Sequence, residues 1–174
     1  MTAIYLVGPS QVGKTMVSRR LAEEFGFEHR DLDGLLTARA SGCGFIHVAQ
    51  DWSIVAPLLE DAERSEQGRV VVDIGAGTQD MDRRHQQPRL EVWLGARRSR
   101  VILLRGSPDE IYVRTRAHHG NRAGFDMLEF GPARQRIYAT ASTTINLSGL
   151  SRDASVKRAC CAIVELVRHL NRPS

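Results

Sequence analysis

Lysine is nearly missing from this chain: of its 24 basic residues only Lys14 and Lys157 are lysines, and the rest are arginines. The arginine bias is read as genome composition, although planar guanidinium groups also suit phosphate and carboxylate recognition. Cysteine is scarce as well. Cys43, Cys160 and Cys161 form neither a disulfide framework nor a CxxC metal spacing, so they are expected to be ordinary reduced thiols. No apolar run reaches the roughly 18 residues that a membrane span needs, which excludes a spanning helix. Internal repeats, low-complexity tracts and linkers are absent too, and 174 residues suffice for one compact core, so residues 1–174 are expected to form a single domain. Neither a basic leader nor a cleavage site lies between Met1 and the apolar segment Ala3 to Val7, so a soluble cytoplasmic protein is expected. The net charge of +4 and pI of about 9.3 suit anionic ligands but are too mild to argue for nucleic acid.

What is present is an alternation of short apolar, β-branched runs with longer amphipathic stretches, the pattern of a parallel sheet covered by helices. The candidate strands are Ile4 to Val7, Glu28 to Asp31, Val70 to Ile74, Val101 to Leu104 and Thr143 to Leu147. Helices are expected over Gly13 to Phe25, Asp33 to Ala40, Val48 to Glu66, Arg89 to Leu94, Pro108 to Ala117, Met127 to Ala141 and Ala154 to Leu170. Ser107 before Pro108 reads as an N-cap followed by proline in the first turn. The stretch His118 to Asp126, with two glycines and several charges, reads as a mobile surface loop.

One motif carries chemistry by itself. Gly8-Pro-Ser10-Gln11-Val12-Gly13-Lys14-Thr15 matches G-x-x-x-x-G-K-[ST], directly after an expected strand and directly before an expected helix. Glycines let such a loop wrap until its N–H groups converge on phosphate oxygens, and the helix N-terminus adds partial positive charge. Lys14 is expected to reach the β- and γ-phosphates of ATP, and Thr15 to place its hydroxyl where Mg²⁺ bridges them.

From this motif onward the chain resembles the shikimate kinases and the wider group of small P-loop kinases like them. The resemblance implies a three-layer α/β fold of the P-loop, nucleoside-monophosphate-kinase-like type, with a five-stranded parallel sheet in the order 2-3-1-4-5 and a lid at about residues 117–127. Asp31-Leu-Asp33 is similar to the family's D-x-D, which implies that Asp31 supports Mg²⁺ and Asp33 holds the acceptor hydroxyl. Two aspartates before a helix also fit an N-cap in a solvated turn. Gly75-Ala76-Gly77 stands where the family has three glycines, a turn whose backbone approaches the substrate. Asp73, closing an apolar strand, resembles a Walker B carboxylate that assists Mg²⁺; the other reading is a cap on the following turn. Arg114-Thr115 and Arg122 resemble the family's R-T pair and lid arginine, placing Arg114 near the adenine and Arg122 on the transferring phosphate. His118 and His119 read as solvated. Arg134-x-x-x-Tyr138 resembles the element whose arginine grips an acidic substrate, with Arg136 as the neighbouring alternative.

The pattern breaks in one place. The family's F-R-x-x-E arginine has no counterpart, because no arginine lies between Arg39 and Arg64, and Trp52 occupies that region either as core or as a wall of the acceptor pocket. Losing such a bidentate contact costs about 1.5–3 kcal/mol of affinity for a carboxylate. The expectation is therefore an ATP- and Mg²⁺-dependent kinase of a hydroxylated small molecule other than shikimate. Lys14, Asp33 and Arg122 would be catalytic; neither nucleic acid nor membrane would be a partner, and the chain would be a monomer or weak dimer. A nucleoside or nucleotide kinase and a non-catalytic ATP-binding regulator are the rival readings.

Overall fold

A computed structural model describes residues 2–40, 51–64, 68–80, 89–119 and 121–171, with the side chains of residues 117–119 left out. Five strands, β1 (Thr2–Val7), β2 (Glu28–Asp31), β3 (Arg69–Asp73), β4 (Val101–Arg105) and β5 (Thr143–Asn146), form one parallel sheet in the order β2-β3-β1-β4-β5. The α-helices among the described residues are α1 (Lys14–Phe25), α2 (Leu32–Arg39), α3 (Trp52–Glu63), the single turn α4 (Ala76–Gln79), α5 (Arg89–Gly95), α6 (Pro108–His119), α7 (Arg122–Phe130), α8 (Pro132–Ala139) and α9 (Arg152–Leu170). The expected sheet and its order are thus observed.

Strand alternation divides the core into two layers, because successive side chains of a strand leave on opposite faces. Ala3, Tyr5 and Val7 join Val70, Val72 and Val101 beneath α2, α3, α5 and α8. Ile4 and Leu6 join Val71, Ile102 and Leu104 beneath α1, α6 and α9. Every residue of β1 is buried, so the central strand is covered on both sides. Trp52 is partly buried and packs against the first layer, the core option of its two readings.

The boundaries show where local signals act. Asp31 caps α2 by accepting from the Gly34 N–H at 3.0 Å, Asp51 caps α3 through Ser53 N–H at 2.9 Å, and Ser151 caps α9 through Ala154 N–H at 3.3 Å. At Ser107 the backbone carbonyl accepts from Ile111 at 3.0 Å, consistent with its cap position. Residues 48–50 and 65–66 of the expected third helix, and Cys43, lie outside the described residues.

Two expectations are corrected. The stretch expected as a loop, His118 to Asp126, is largely helical: α6 runs through His119, and α7 starts at Arg122, capped by Asn121, whose side chain accepts from Gly124 N–H at 2.8 Å. The cause is apolar packing: Phe125 is fully buried and lies 5.2 Å from the Tyr112 ring and 5.6 Å from that of Phe130. The helix expected over Met127 to Ala141 is broken in two at Gly131-Pro132, where proline opens α8.

Candidate active site

At the C-terminal end of β1 the chain turns through Gly8 to Gly13 and enters α1. Gly8 sits at φ 148°, and a Cβ there would stand 2.4 Å from the Leu104 carbonyl oxygen, so only glycine lets the loop leave the sheet. Gly13 at φ 107° and Gln11 at φ 58° complete the wrap. Lys14 is buried and folded back, donating to the carbonyls of Gly8 at 3.0 Å and Pro9 at 3.1 Å. Burial pushes its ammonium down from the ordinary lysine value, and the charge of Asp73 pulls it back up. Gln79, fully buried, donates to both the Gly8 and the Ile74 carbonyls, at 3.1 and 2.8 Å, and so ties this loop to the end of β3.

The register places Asp31 opposite Asp73 on neighbouring parallel strands, at the same C-terminal end of the strands as the loop. Thr15 donates its hydroxyl to Asp73 Oδ2 at 2.5 Å, while Asp73 Oδ1 is buried with no hydrogen-bond partner among the described residues. Burial raises the Asp73 carboxyl above its ordinary value; Lys14 and the Thr15 hydrogen bond oppose this, and Asp31 adds to it. Asp73 therefore faces the loop, and it does not cap the turn that follows it.

Asp33 lies on the first turn of α2 and reaches across to α4. Its Oδ2 accepts from Gly77 N–H at 3.1 Å; its Oδ1 accepts from Thr78 N–H at 3.3 Å and the Thr78 hydroxyl at 2.7 Å. Gly75 makes this possible, because a Cβ there would fall 2.1 Å from Asp33 Oδ2. The structure thus brings Asp33 and Gly75-Ala76-Gly77 into one unit. Arg134, buried on α8, closes it from the other side, donating to the Ala76 carbonyl at 3.3 Å, to both oxygens of Asp80, and to Glu129.

Glu129 and Asp80 were not legible as site residues. Glu129 is fully buried, and besides Arg134 it holds Ser10 of the loop, accepting from its N–H at 2.9 Å and its hydroxyl at 2.6 Å. No short motif signals a contact that joins positions so far apart in the chain. Tyr138 donates to the Glu129 carbonyl at 3.1 Å, which makes the Arg134 to Tyr138 element a brace for this acid.

The remaining arginines are placed differently. Arg114 stands over the loop, 3.5 Å from the Gln11 carbonyl, and lines an open cleft of about 520 Å³ together with Gly13, Thr15, Gly106, Arg152 and Ser155. Arg122 is not brought to the loop: its guanidinium is held by Asp109 at 2.5 Å and Asp126 at 2.9 Å, against the rings of Tyr112 and Phe125. The carboxylates on its own and the preceding helix capture it. Arg136 turns to Glu91 at 3.0 Å, which leaves Arg134 as the arginine of that pair within the site. The side chains of His118 and His119 lie outside the description.

Comparison with solved structures decides the fold family. A shikimate kinase from Bacteroides thetaiotaomicron matches at TM-score 0.65 and 20% identity, covering 96% of this chain and 98% of the other. Shikimate kinase from Acinetobacter baumannii, solved in complex with shikimate, matches at TM-score 0.66 and 21% identity, covering 99% and 96%. The fold is that of the shikimate kinases and related small P-loop kinases. A gluconokinase from Sinorhizobium meliloti shares this kinase fold at TM-score 0.52 and 18% identity, covering 97% and 95%. No protein-family model and no curated protein sequence matches the chain. Among the described residues no helix is long and apolar enough to cross a membrane, and no group of three or more His, Cys, Asp and Glu side chains is placed to hold a metal ion.

Proposed function

We propose that this chain transfers the γ-phosphoryl group of ATP to a hydroxyl of a small metabolite other than shikimate. The observation that carries the reading is the junction of three parts at the C-terminal ends of the strands: the glycine loop with Lys14, the Thr15–Asp73 pair, and the Asp33 carboxylate seated on the Gly75–Thr78 turn.

Each part has a role that its chemistry supports. The loop N–H groups and the N-terminus of α1 would cradle the phosphates, and Lys14 would exchange its two carbonyl partners for phosphate oxygens. Arg114, beside the loop in the open cleft, is the residue suited to lie against the base. Asp73 Oδ1, buried without a hydrogen-bond partner among the described residues, fits a hard cation held by one or two carboxylates together with phosphate. Thr15 and Asp73, with Asp31 beside them, would hold Mg²⁺, whose contribution when bound is to neutralise charge on the phosphate oxygens.

Among the described residues Asp33 Oδ1 accepts two hydrogen bonds and Oδ2 one, so Oδ2 keeps a lone-pair direction for an acceptor hydroxyl. A carboxylate so fixed orients the alcohol and can take its proton as the new P–O bond forms, so catalysis rests on positioning and electrostatics. Arg122 would serve the transferring phosphate only after giving up Asp109 and Asp126.

The test is a thermal-shift screen of hydroxylated metabolites with MgATP, followed by turnover assays on those that stabilise the fold. A ligand at 100 times its Kd adds about 2.7 kcal/mol of stability, which the screen resolves. Efficient, low-KM phosphorylation of shikimate would overturn the exclusion of that substrate, and failure to bind MgATP would overturn the reading as a whole. The non-catalytic alternative draws on the same Asp33 hydrogen bonds, which also suit a purely structural cap; in that case Asp33→Asn leaves the protein's nucleotide-dependent behaviour unchanged.

A further inference from the structure

Resting on the kinase reading above, we propose that the acceptor carries no carboxylate, that a neutral or amine-bearing polyol is its class, and that Asp80 is the residue that excludes anionic acceptors. The argument begins with the donors of Arg134. A guanidinium has five N–H groups, and its carboxylate-gripping edge is the pair on Nε and Nη2. Here Nε donates to Asp80 Oδ1 at 3.1 Å, and Nη2 to Asp80 Oδ2 and the Ala76 carbonyl, both at 3.3 Å. Nη1 donates to Glu129. Four of the five N–H groups are thus engaged, and the bidentate edge belongs to Asp80.

Exposure ranks these groups in a telling order. The side chains of Glu129 and Arg134 are 0% and 4% exposed, whereas that of Asp80 is 20% exposed, so of the three Asp80 is the most open to solvent. Among the described residues, the turn that carries Asp33 therefore joins three carboxylates, Asp33, Asp80 and Glu129, to one arginine. A carboxylate acceptor would have to evict Asp80 and would then lie beside the two remaining acids. A protonated amine would find in Asp80 a partly exposed carboxylate. The missing arginine between Arg39 and Arg64 points the same way, since no second guanidinium from that segment can compensate.

Asp80 acts through charge and through its hold on Arg134, so its removal should invert the preference and not merely weaken binding. The experiment uses the full chain with MgATP or a non-hydrolysable analogue and three probes on one ring: glucosamine, glucose and glucuronate. The expected result for the wild type is a Kd for glucuronate at least tenfold weaker than for glucosamine. Asp80→Ala, which frees the Nε–Nη2 edge, should tighten glucuronate at least tenfold and weaken glucosamine. Asp80→Asn keeps the shape, guards against a folding defect, and should shift both affinities in the same directions by a smaller factor. Tighter binding of glucuronate than of glucosamine in the wild type overturns the proposal. So does an equal response, or none, to all three probes in wild type and variants alike. MgATP affinity is measured separately in each protein: its absence from the wild type would remove the kinase reading, whereas intact MgATP binding with an anion-preferring acceptor site would remove this inference alone.

Discussion

Gly75→Ala adds a single methyl group at a backbone that any residue can adopt, φ −72° and ψ 171°, so no conformational strain enters the argument. The methyl would stand 2.1 Å from Asp33 Cγ and Oδ2 and 2.6 Å from Oδ1, well inside contact distance. Backbone on one side and carboxylate on the other cannot both stay, and the carboxylate is the part free to rotate. Its departure breaks the bonds to Gly77 N–H, Thr78 N–H and the Thr78 hydroxyl, and leaves that buried hydroxyl without its acceptor. Hydrogen bonds to a charged group contribute about 1.5–3 kcal/mol and an orphaned buried hydroxyl costs about 1–3 kcal/mol, so with partial compensation by water the loss should be about 3 kcal/mol.

Urea unfolding of four proteins, the wild type, Gly75→Ala, Asp33→Ala and the double variant, isolates the cause. In the Asp33→Ala background the new methyl has nothing to strike, so Gly75→Ala should then cost under about 0.5 kcal/mol, leaving a coupling of about 2.5 kcal/mol. An equal cost in both backgrounds would refute the claim that Gly75 is required because Asp33 occupies its side-chain space.

Two further predictions concern charge. Burial raises the Asp73 carboxyl above 3.8, and a protonated Asp73 cannot ligate a cation. Affinity for the Mg²⁺ nucleotide should therefore be full above the raised folded value and fall as pH drops through it, at a higher pH than for an ordinary aspartate, and Asp73→Asn should abolish this step in calorimetric titrations. For the ligand-free fold the sign reverses: stability contributed by this group is present below 3.8 and lost as pH rises through the folded value. Glu63 on α3 accepts from Tyr5 Oη at 2.9 Å and grips Arg97 through Nε at 2.8 Å and Nη2 at 2.9 Å, with Arg100 at 3.0 Å. The Arg97 hydrogen bonds hold its carboxyl below the ordinary 4.5, so its stabilisation is present above 4.5 and fades as pH falls through the lowered value. Glu63→Gln should cost about 1–3 kcal/mol in chemical denaturation near neutral pH.

The P-loop and the sheet were readable in the sequence because their signals are local. A glycine loop between strand and helix is contiguous, and the runs Ile4 to Val7 and Val70 to Val72 are apolar at every position because both faces are covered. Asp31, Asp33 and Asp73 were found through short patterns at strand ends, and the sheet register then placed two of them side by side. Asp80, Glu129 and Gln79 act across the fold, on Arg134, Ser10 and Gly8, and nothing in their neighbours along the chain announces those partners. The reading of His118 to Asp126 as a loop had local evidence against it, in the Asn121 cap signal and the apolar Phe125 and Phe130. Gly131-Pro132 marked the helix break just as openly. Arg122 was assigned by its place in a motif, which cannot say that Asp109 and Asp126 would hold it elsewhere.

Calorimetric measurement of MgATP binding to the wild type and Lys14→Met tests the central claim most directly. Removing a charge-assisted contact to phosphate should weaken the nucleotide by about 1.5–3 kcal/mol, a factor of roughly ten to a hundred or more. Equal affinity in the two proteins would contradict the account, because the buried ammonium at the head of α1 would then play no part in holding phosphate.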